Sequence, residues 1–256
     1  LYTQDGALLE HWPVGSGLYY TENAMVVDTA DHIYLKILLQ PTEPNKPWNI
    51  GLLRLDPSGR IIDSIPSPRI FGEPTEVSGS MGAAKRWARS PYGFTVVGVP
   101  NTYSFEIRYD DGRVVRVAKA YAPVDRLPEE RAEMEAWNSW MRKNQEQSLT
   151  STIPAVPLTK PAYSDLLAGN DGRIWVQRHV RAVKVGDAGD TPADRPPARV
   201  WIEPAVFDVF EPDGTYLGEV LLPERMEIRW LTRHHIWAVY KGSMDESYIV
   251  RFRLQV

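Results

Sequence analysis

Histidines are the first residues of this sequence to consider for chemistry, because imidazole can bind a metal ion or move a proton near neutral pH. His234 and His235 are adjacent, and neighbouring residues of a strand point to opposite faces, so their rings do not readily share one metal ion. We interpret them as turn residues, as we do His32, while His11 and His179 lie elsewhere. No HxH, HExxH or His/carboxylate spacing occurs, so the sequence predicts no metal site and no cofactor.

A second set of polar residues could hold an anionic ligand. Its three arginines and two aspartates lie on or beside short predicted strands, next to two tryptophans that could form an aromatic wall. Guanidinium groups bind carboxylates and phosphates bidentately and so can fix a ligand's orientation. The alternative is a solvated interior with ion pairs, in which the tryptophans belong to the core. The candidate binding residues are Asp28, Arg86, Trp87, Arg89, Asp165, Arg229, Trp230 and Thr232.

Motifs for covalent catalysis are missing from the sequence. No G-x-S-x-G occurs, so we interpret Ser16 and Ser80 as loop residues. The stretch from Ser78 to Gly82 lacks the lysine of a phosphate-binding loop. With no cysteine, thiolate catalysis, disulfides and cysteine-ligated metal centres are excluded.

Composition and charge restrict the class of protein further. The 256 residues include 43% hydrophobic and 11% aromatic side chains, enough for a sizeable core. A net charge of −4 provides no basic surface for nucleic acid. No apolar run approaches the length of a membrane span. The 21 Pro and 18 Gly residues indicate many turns.

Two short patterns alternate along the chain and indicate a repeat. The first is a strand, a tight turn and a β-branched or aromatic strand, in which Ile33, Phe94, Ile174 and Ile236 hold equivalent positions. The second is a hairpin around an Asp-Gly or related turn, as in Asp111-Gly112, where glycine supplies the positive φ. Each pair of patterns predicts a four-stranded antiparallel sheet.

The two ends of the chain fit this repeat only in part. Tyr2 to Pro13 has the pattern of the second hairpin of a sheet, and Tyr248 to Val256 that of a third strand without its fourth. Either the N-terminal segment completes the last sheet of a four-membered ring, which would remove exposed edges, or more repeats precede Leu1. We favour the second interpretation, because a half repeat at residue 1 looks truncated.

One segment, residues 123–147, has a helical pattern instead. Pro128, early glutamates and late basic residues suit a helix of this polarity, and Met134, Trp137 and Met141 form an apolar stripe. We interpret its glutamates as a solvated face and expect the helix to pack on the surface of the sheets. A proline-rich loop, residues 186–204, interrupts the third repeat, and loops of this length are commonly functional or mobile. The four glutamates are Glu129, Glu130, Glu133 and Glu135.

The motifs DGRIWVQR, VFEPDGTYLGEVLLP and YIVRFRL give the sequence a family likeness. With them the chain resembles six-bladed β-propellers of the NHL and TolB-like kind, especially secreted bacterial members. The resemblance covers nearly the whole chain apart from the helical insertion. It implies a single all-β propeller domain over residues 1–256, four of whose six blades are visible, and an exported, periplasmic or secreted protein. It transfers no catalytic residue.

We therefore expect a monomeric, non-catalytic propeller domain that binds a protein, a peptide or a small molecule at one face. The alternative is a propeller hydrolase, lactonase or lyase with a metal-assisted site at the channel mouth. That alternative requires the carboxylates of Asp28 and Asp165 to converge within metal-bonding distance. A third possibility is a sensor module of a larger exported protein.

Overall fold

The computed structural model describes residues 5, 7–8, 20–39, 49–70, 84–144, 155–186, 195–242 and 246–254. The chain divides into two compact units, Leu1–Arg69 with Arg89–Phe94 and Ile70–Ala88 with Thr95–Val256. Across the described ranges, no helix has the length and apolar character that crossing a membrane requires.

The first unit contains a four-stranded antiparallel sheet in the order β1-β2-β3-β4. Its apolar residues alternate along β2 and β3, so Ile33, Ile37, Leu53 and Leu55 form a small buried core. The strands are β1 (Tyr20–Val27), β2 (Ile33–Leu39), β3 (Asn49–Leu55) and β4 (Ile61–Pro66).

The second unit opens with another four-stranded antiparallel sheet, and only the turn Arg89–Phe94 of that sheet belongs to the first unit. The final pair of strands is in simple register, with Ser104 opposite Ala118 and Arg108 opposite Val114. The strands are β5 (Arg86–Arg89), β6 (Phe94–Gly98), β7 (Ser104–Tyr109) and β8 (Val114–Ala118).

The next sheet of the second unit has the order β14-β13-β10-β9 and carries the proline-rich loop between its two middle strands. That loop includes a two-stranded ribbon of β11 and β12. All five residues of β13 are buried, as expected for a strand covered on both faces. The strands are β9 (Tyr163–Ala168), β10 (Ile174–Arg178), β11 (Val183–Lys184), β12 (Trp201–Ile202), β13 (Val206–Phe210) and β14 (Tyr216–Leu221).

The last sheet has three strands, β15 (Met226–Leu231), β16 (His235–Lys241) and β17 (Ser247–Arg253). It packs on the preceding sheet through a core that includes Trp175, Phe207, Leu231 and Ile236. Burial of such large side chains is the main favourable contribution to folding, at roughly 2 kcal/mol for each.

The phase of the predicted repeat is confirmed by the structure. The four equivalent residues Ile33, Phe94, Ile174 and Ile236 are all buried at or near the start of the second strand of a sheet. In the second pattern, the turn at the centre of the hairpin holds glycine in the left-handed region, as at Gly112 with φ 89°.

The helix α1 runs over Pro128–Asn144, inside the segment predicted to be helical. Its buried residues are Glu130 and Asn138, whereas the predicted apolar stripe is only half-buried. The interpretation of all four helix glutamates as solvated is wrong for Glu130, which is 5% exposed. Glu129 and Glu135 are exposed as predicted.

The predicted fold class is confirmed: in the described part of the chain the protein is all-β, with antiparallel propeller-type blades and one helix. Three four-stranded sheets, one three-stranded sheet and the two-stranded ribbon lie in the described ranges, and a six-bladed ring stays a prediction. Most of the predicted N-terminal half repeat, Ser16, Ser80 and the stretch from Ser78 to Gly82 lie outside the described residues.

Candidate functional site

A cavity of about 600 Å³ lies in the second unit, beside α1 and the sheet that contains β9 and β10. It has the size of a small-molecule site. Four arginines, three glutamates and a histidine line it, together with polar and aromatic groups. Its charged lining residues are Arg86, Arg126, Glu130, Glu133, Arg178, His179, Arg199 and Glu203.

The start of α1 explains how Glu130 comes to line this cavity. The helix begins at Pro128, and Glu130 reaches back so that its Oε2 accepts a hydrogen bond from the Leu127 N–H at 3.3 Å. This is half of a capping box, which satisfies a backbone donor that the first helical turn leaves free. The same contact turns the carboxylate towards the cavity rather than towards solvent.

Lys160 holds two of the cavity carboxylates together from a fully buried position. Its Nζ lies 2.8 Å from Glu130 Oε1, 3.2 Å from Glu203 Oε1 and 2.8 Å from the Val180 carbonyl oxygen. These three acceptors match the three N–H donors of an ammonium group. Arg126 adds a longer ion pair to Glu130 at 3.4 Å. The cluster therefore joins three segments that are distant in the sequence.

His179 and Glu203 form a hydrogen-bonded pair in the cavity wall, with His179 Nδ1 3.0 Å from Glu203 Oε2. The Val180 N–H donates to the same oxygen at 2.9 Å. Burial raises the pKa of Glu203, but the His179 hydrogen bond and charge, the charge of Lys160 and the Val180 N–H outweigh burial and lower it. Because an ionised carboxylate only accepts hydrogen bonds, Nδ1 carries the proton in this pair.

Glu133, the third cavity carboxylate, is also engaged with protein groups. It accepts hydrogen bonds from the N–H groups of Val200 at 2.8 Å and Trp201 at 3.3 Å. These contacts attach the strand β12 region to α1. All three cavity glutamates are thus committed to partners within the protein.

The cavity arginines, in contrast, retain unused hydrogen-bond donors. The Nε atoms of Arg86 and Arg126 are buried, and neither has a hydrogen-bond partner within the described part of the chain. Arg178 Nε is 3.4 Å from Asp208 Oδ2, outside hydrogen-bond geometry. Four arginines and three glutamates line the cavity, and buried guanidinium donors remain unused. Such a cavity is suited to an anion.

Of the eight predicted binding residues, Arg86 is the one that lines this cavity. Asp28 and Arg89 belong to the first unit. Asp28 begins the turn between β1 and β2, where it accepts hydrogen bonds from the Ala30 and His32 N–H groups at 2.8 and 2.9 Å. The Arg89 guanidinium lies 4.9 Å from the centroid of the Tyr34 ring.

Burial raises the pKa of Asp28, but its hydrogen bonds, led by that from the His32 N–H, outweigh burial and lower it. Its carboxylate also accepts from Tyr34 Oη at 2.9 Å and lies 3.1 Å from His32 Nδ1. This set of contacts within one turn gives Asp28 a clear structural role.

The other predicted residues serve local structure in the second unit. Trp87 is buried, and Asp165 accepts from the Leu166 N–H at 2.8 Å. Arg229 pairs with exposed Glu227 at 2.8 Å, and Thr232 Oγ1 accepts from the His235 N–H in the β15–β16 turn.

Trp230 lies opposite Trp237 across two strands and is 49% exposed. Ligand binding by these residues stays a prediction. In the ranges that the structure describes, no group of three or more His, Asp or Glu side chains could hold a metal ion.

The sequence interpretation missed Lys160, His179 and Glu203 as members of one cluster. A usable signal was present in Gln177-Arg178-His179, where three polar residues directly follow the buried run Ile174–Val176. Polar residues that end a buried strand commonly face a site rather than a core.

The fold and the cavity define a class: an all-β protein with propeller-type blades and a positively charged cavity. The chain matches no protein-family model and no curated protein. Among solved structures it is similar to a member of the DUF4221 family from Bacteroides vulgatus, with 12% sequence identity and a TM-score of 0.41. The match covers 90% of this chain, which spans 63% of that protein's length. A likeness of this strength assigns neither family nor activity.

Proposed function

We propose that this protein is a non-catalytic binding domain that holds a small organic anion in the cavity beside α1. One observation carries the proposal: buried guanidinium N–H groups have no protein partner in the described ranges, while every carboxylate of the cavity has one. An unpaired buried donor costs about 1–3 kcal/mol. An anion that accepts from these groups recovers that cost.

Arg86 is the residue on which this binding depends most. Arg126 pairs with Glu130 and Arg178 with Glu219, whereas the buried Nε of Arg86 has no hydrogen-bond partner among the described residues. Its guanidinium therefore remains available to form two parallel hydrogen bonds with a carboxylate, phosphate or sulfonate group.

The number of blades and the export of the protein are part of the same proposal. The resemblance of the sequence motifs to NHL and TolB-like propellers supports a six-bladed exported protein, and it is the only support for export. The metal-assisted hydrolase or lyase expected as the alternative has no specific observation in its favour. We therefore propose anion binding rather than metal-assisted catalysis.

Isothermal titration of the purified chain with ethanesulfonate, at constant ionic strength set with chloride, tests this function. We expect saturable binding to the wild type and about tenfold or weaker affinity in Arg86→Gln. Arg253→Gln is the matched control, since it removes an exposed arginine of the same unit and should leave affinity unchanged. Equal loss in both variants, or no saturable binding by the wild type, would contradict the proposal.

A further inference from the structure

Apolar side chains line the cavity beside α1 together with its charged groups. They come from the helix, from the segment that leads into β9 and from β12. Tyr163 is fully buried. Met134, Trp201 and Ile202 are half-buried, so water reaches part of each side chain. A ligand that displaces water from such surface gains free energy. The apolar lining residues are Met134, Pro161, Tyr163, Trp201 and Ile202.

Two of these apolar groups lie beside the cavity arginines. Met134 Sδ is 3.5 Å from Arg126 Nη1, a weak N–H···S contact. Burial raises the pKa of Tyr163, and the charge of Arg86 opposes that rise, which places the two residues near each other. Arg86 and Arg126 are also arginines whose Nε atoms lack a partner among the described residues. An anion held by either guanidinium therefore has an apolar side chain close by.

Trp201 is fixed in the cavity wall through its backbone. Its N–H donates to Glu133 Oε2 of α1 at 3.3 Å, and it pairs with Lys184 in the two-stranded ribbon. Neither contact uses the indole, so the side chain adds its area to the apolar lining. Aromatic side chains supply more contact area than other residues, and they pack favourably against a second ring.

The hydroxyl groups of the lining are already engaged by the protein. Tyr163 Oη donates to the Ser104 carbonyl oxygen at 3.0 Å, and Ser164 Oγ donates to the Gln177 carbonyl oxygen at 3.2 Å. The three cavity glutamates are paired as described above. A ligand body with several hydroxyl groups would give up hydrogen bonds to water without replacing all of them here. An apolar body has no such loss.

We infer that the cavity prefers an anion with an apolar body, about the size of an aromatic ring or larger, to a compact or hydroxylated anion of equal charge. The inference rests on the proposed anion-binding function. A volume of about 600 Å³ has room for such a body next to one carboxylate, phosphate or sulfonate group. Aryl and arylalkyl carboxylates belong to this class.

Four sulfonates of equal charge provide the probes, and calorimetric titration of the purified chain, at constant ionic strength set with chloride, measures their affinities. Benzenesulfonate should bind about tenfold or more tightly than ethanesulfonate, with a more negative heat-capacity change. Isethionate carries a terminal hydroxyl where 1-propanesulfonate carries a methyl group. Propanesulfonate should therefore bind about fourfold or more tightly than isethionate.

Trp201→Ala should remove most of the preference for benzenesulfonate and leave ethanesulfonate affinity within about twofold of the wild type. Trp237→Ala is the matched control, since it removes a partly exposed tryptophan of β16 in the same unit and should bind both probes like the wild type. Thermal melting checks that both variants are folded. The comparison of probes on the wild type decides the inference without any variant.

The outcomes separate this inference from the function on which it rests. Equal wild-type affinities for benzenesulfonate and ethanesulfonate, or for propanesulfonate and isethionate, would overturn the inference while leaving anion binding intact. So would an unchanged preference for benzenesulfonate in Trp201→Ala. If no sulfonate binds, or if Arg86→Gln binds all of them like the wild type, the proposed function itself fails.

Discussion

Two buried charge clusters of the second unit differ in how completely they are satisfied. In the first, the fully buried Asp208 accepts from Tyr103 Oη at 2.5 Å and Tyr216 Oη at 3.0 Å, and Lys119 Nζ lies 2.9 Å away. Arg178 adds an ion pair at 3.4 Å. Both oxygens of this carboxylate are surrounded by donors, so its acceptor capacity is used within the protein.

The second cluster, around Lys160, satisfies its carboxylates equally well but borders a cavity. There, the unused groups are donors: the Nε atoms of Arg86 and Arg126. The comparison shows that buried charge alone does not indicate a binding site. A site is indicated where paired charges leave hydrogen-bonding groups unused beside an open volume.

Arg178 belongs to both clusters. It contacts Asp208 and Glu219 and also lines the cavity. Changes in the two clusters can therefore be compared within one unit of the protein, and stability and anion binding should respond to them differently.

Asp208→Ala should have the largest effect on stability. It leaves Lys119 and Arg178 without their shared carboxylate and the two tyrosine hydroxyls without their acceptor. We expect the free energy of unfolding to fall by about 3 kcal/mol, the lower end for a broken buried pair, because both cations reach solvent. Urea denaturation measures this loss. Glu227→Gln, at an exposed ion pair, is the control. A loss of similar size in this variant would show that the buried Asp208 cluster stabilises the protein no more than an exposed ion pair does.

Lys160→Met should have the next largest effect, about 2 kcal/mol. The loss is smaller because Glu130 keeps Arg126, and Glu203 keeps His179 and the Val180 N–H. Lys184→Met, at an exposed position of β11, should change the free energy of unfolding by less than about 0.5 kcal/mol. Equal denaturation midpoints for the two variants would show that Lys160 does not support the cavity.

Two glutamates of α1 provide a matched test of the cavity wall. Glu130→Gln should cost about 1–2 kcal/mol, because a neutral amide replaces a buried carboxylate paired with Lys160. Glu129→Gln, one residue earlier on the exposed side, should cost no more than a few tenths. The difference in their free energies of unfolding is the measurement, and similar costs would contradict the burial of Glu130.

The smallest predicted effect is a change in acid sensitivity at Glu203. Because its pKa is lower in the folded protein than in the unfolded chain, Glu203 adds stability above the ordinary glutamate range. This contribution is lost as pH falls through the folded value. Between about pH 5 and about pH 3, wild-type stability should fall more steeply than that of Glu203→Gln. Parallel profiles would contradict the assigned shift, because the other carboxylates contribute equally to both proteins.

The repeat was predictable because its signals are local. Asp111-Gly112 defines a hairpin from two adjacent residues, and the alternation after Ile174 or Ile236 defines a strand. These patterns depend only on neighbours in the sequence. They therefore predicted antiparallel sheets and the second strand in each that begins at or near one of four buried residues, Ile33, Phe94, Ile174 and Ile236.

The cavity was not predictable in the same way, because its members interact across distant segments. Acidic residues near the start of a helix are favoured whether they are solvated or buried. The burial of Glu130 depends on Lys160 and Arg126, and Lys160 also depends on Glu203 in the proline-rich loop. No spacing rule links these positions. Arg86 was selected for its anion-binding chemistry, while its place beside this cavity required the structure.

Anion binding in the cavity beside α1 is tested most directly by locating an anion in a crystal of the protein. The crystal is grown in selenate and measured at the selenium absorption edge. Selenate resembles sulfate in shape and charge, and its anomalous signal distinguishes it from water. We expect an anomalous peak inside the cavity, within hydrogen-bond distance of Arg86 Nε or Nη. An empty cavity alongside ordered selenate elsewhere on the chain, or an Arg86 guanidinium paired with a protein carboxylate, would contradict it.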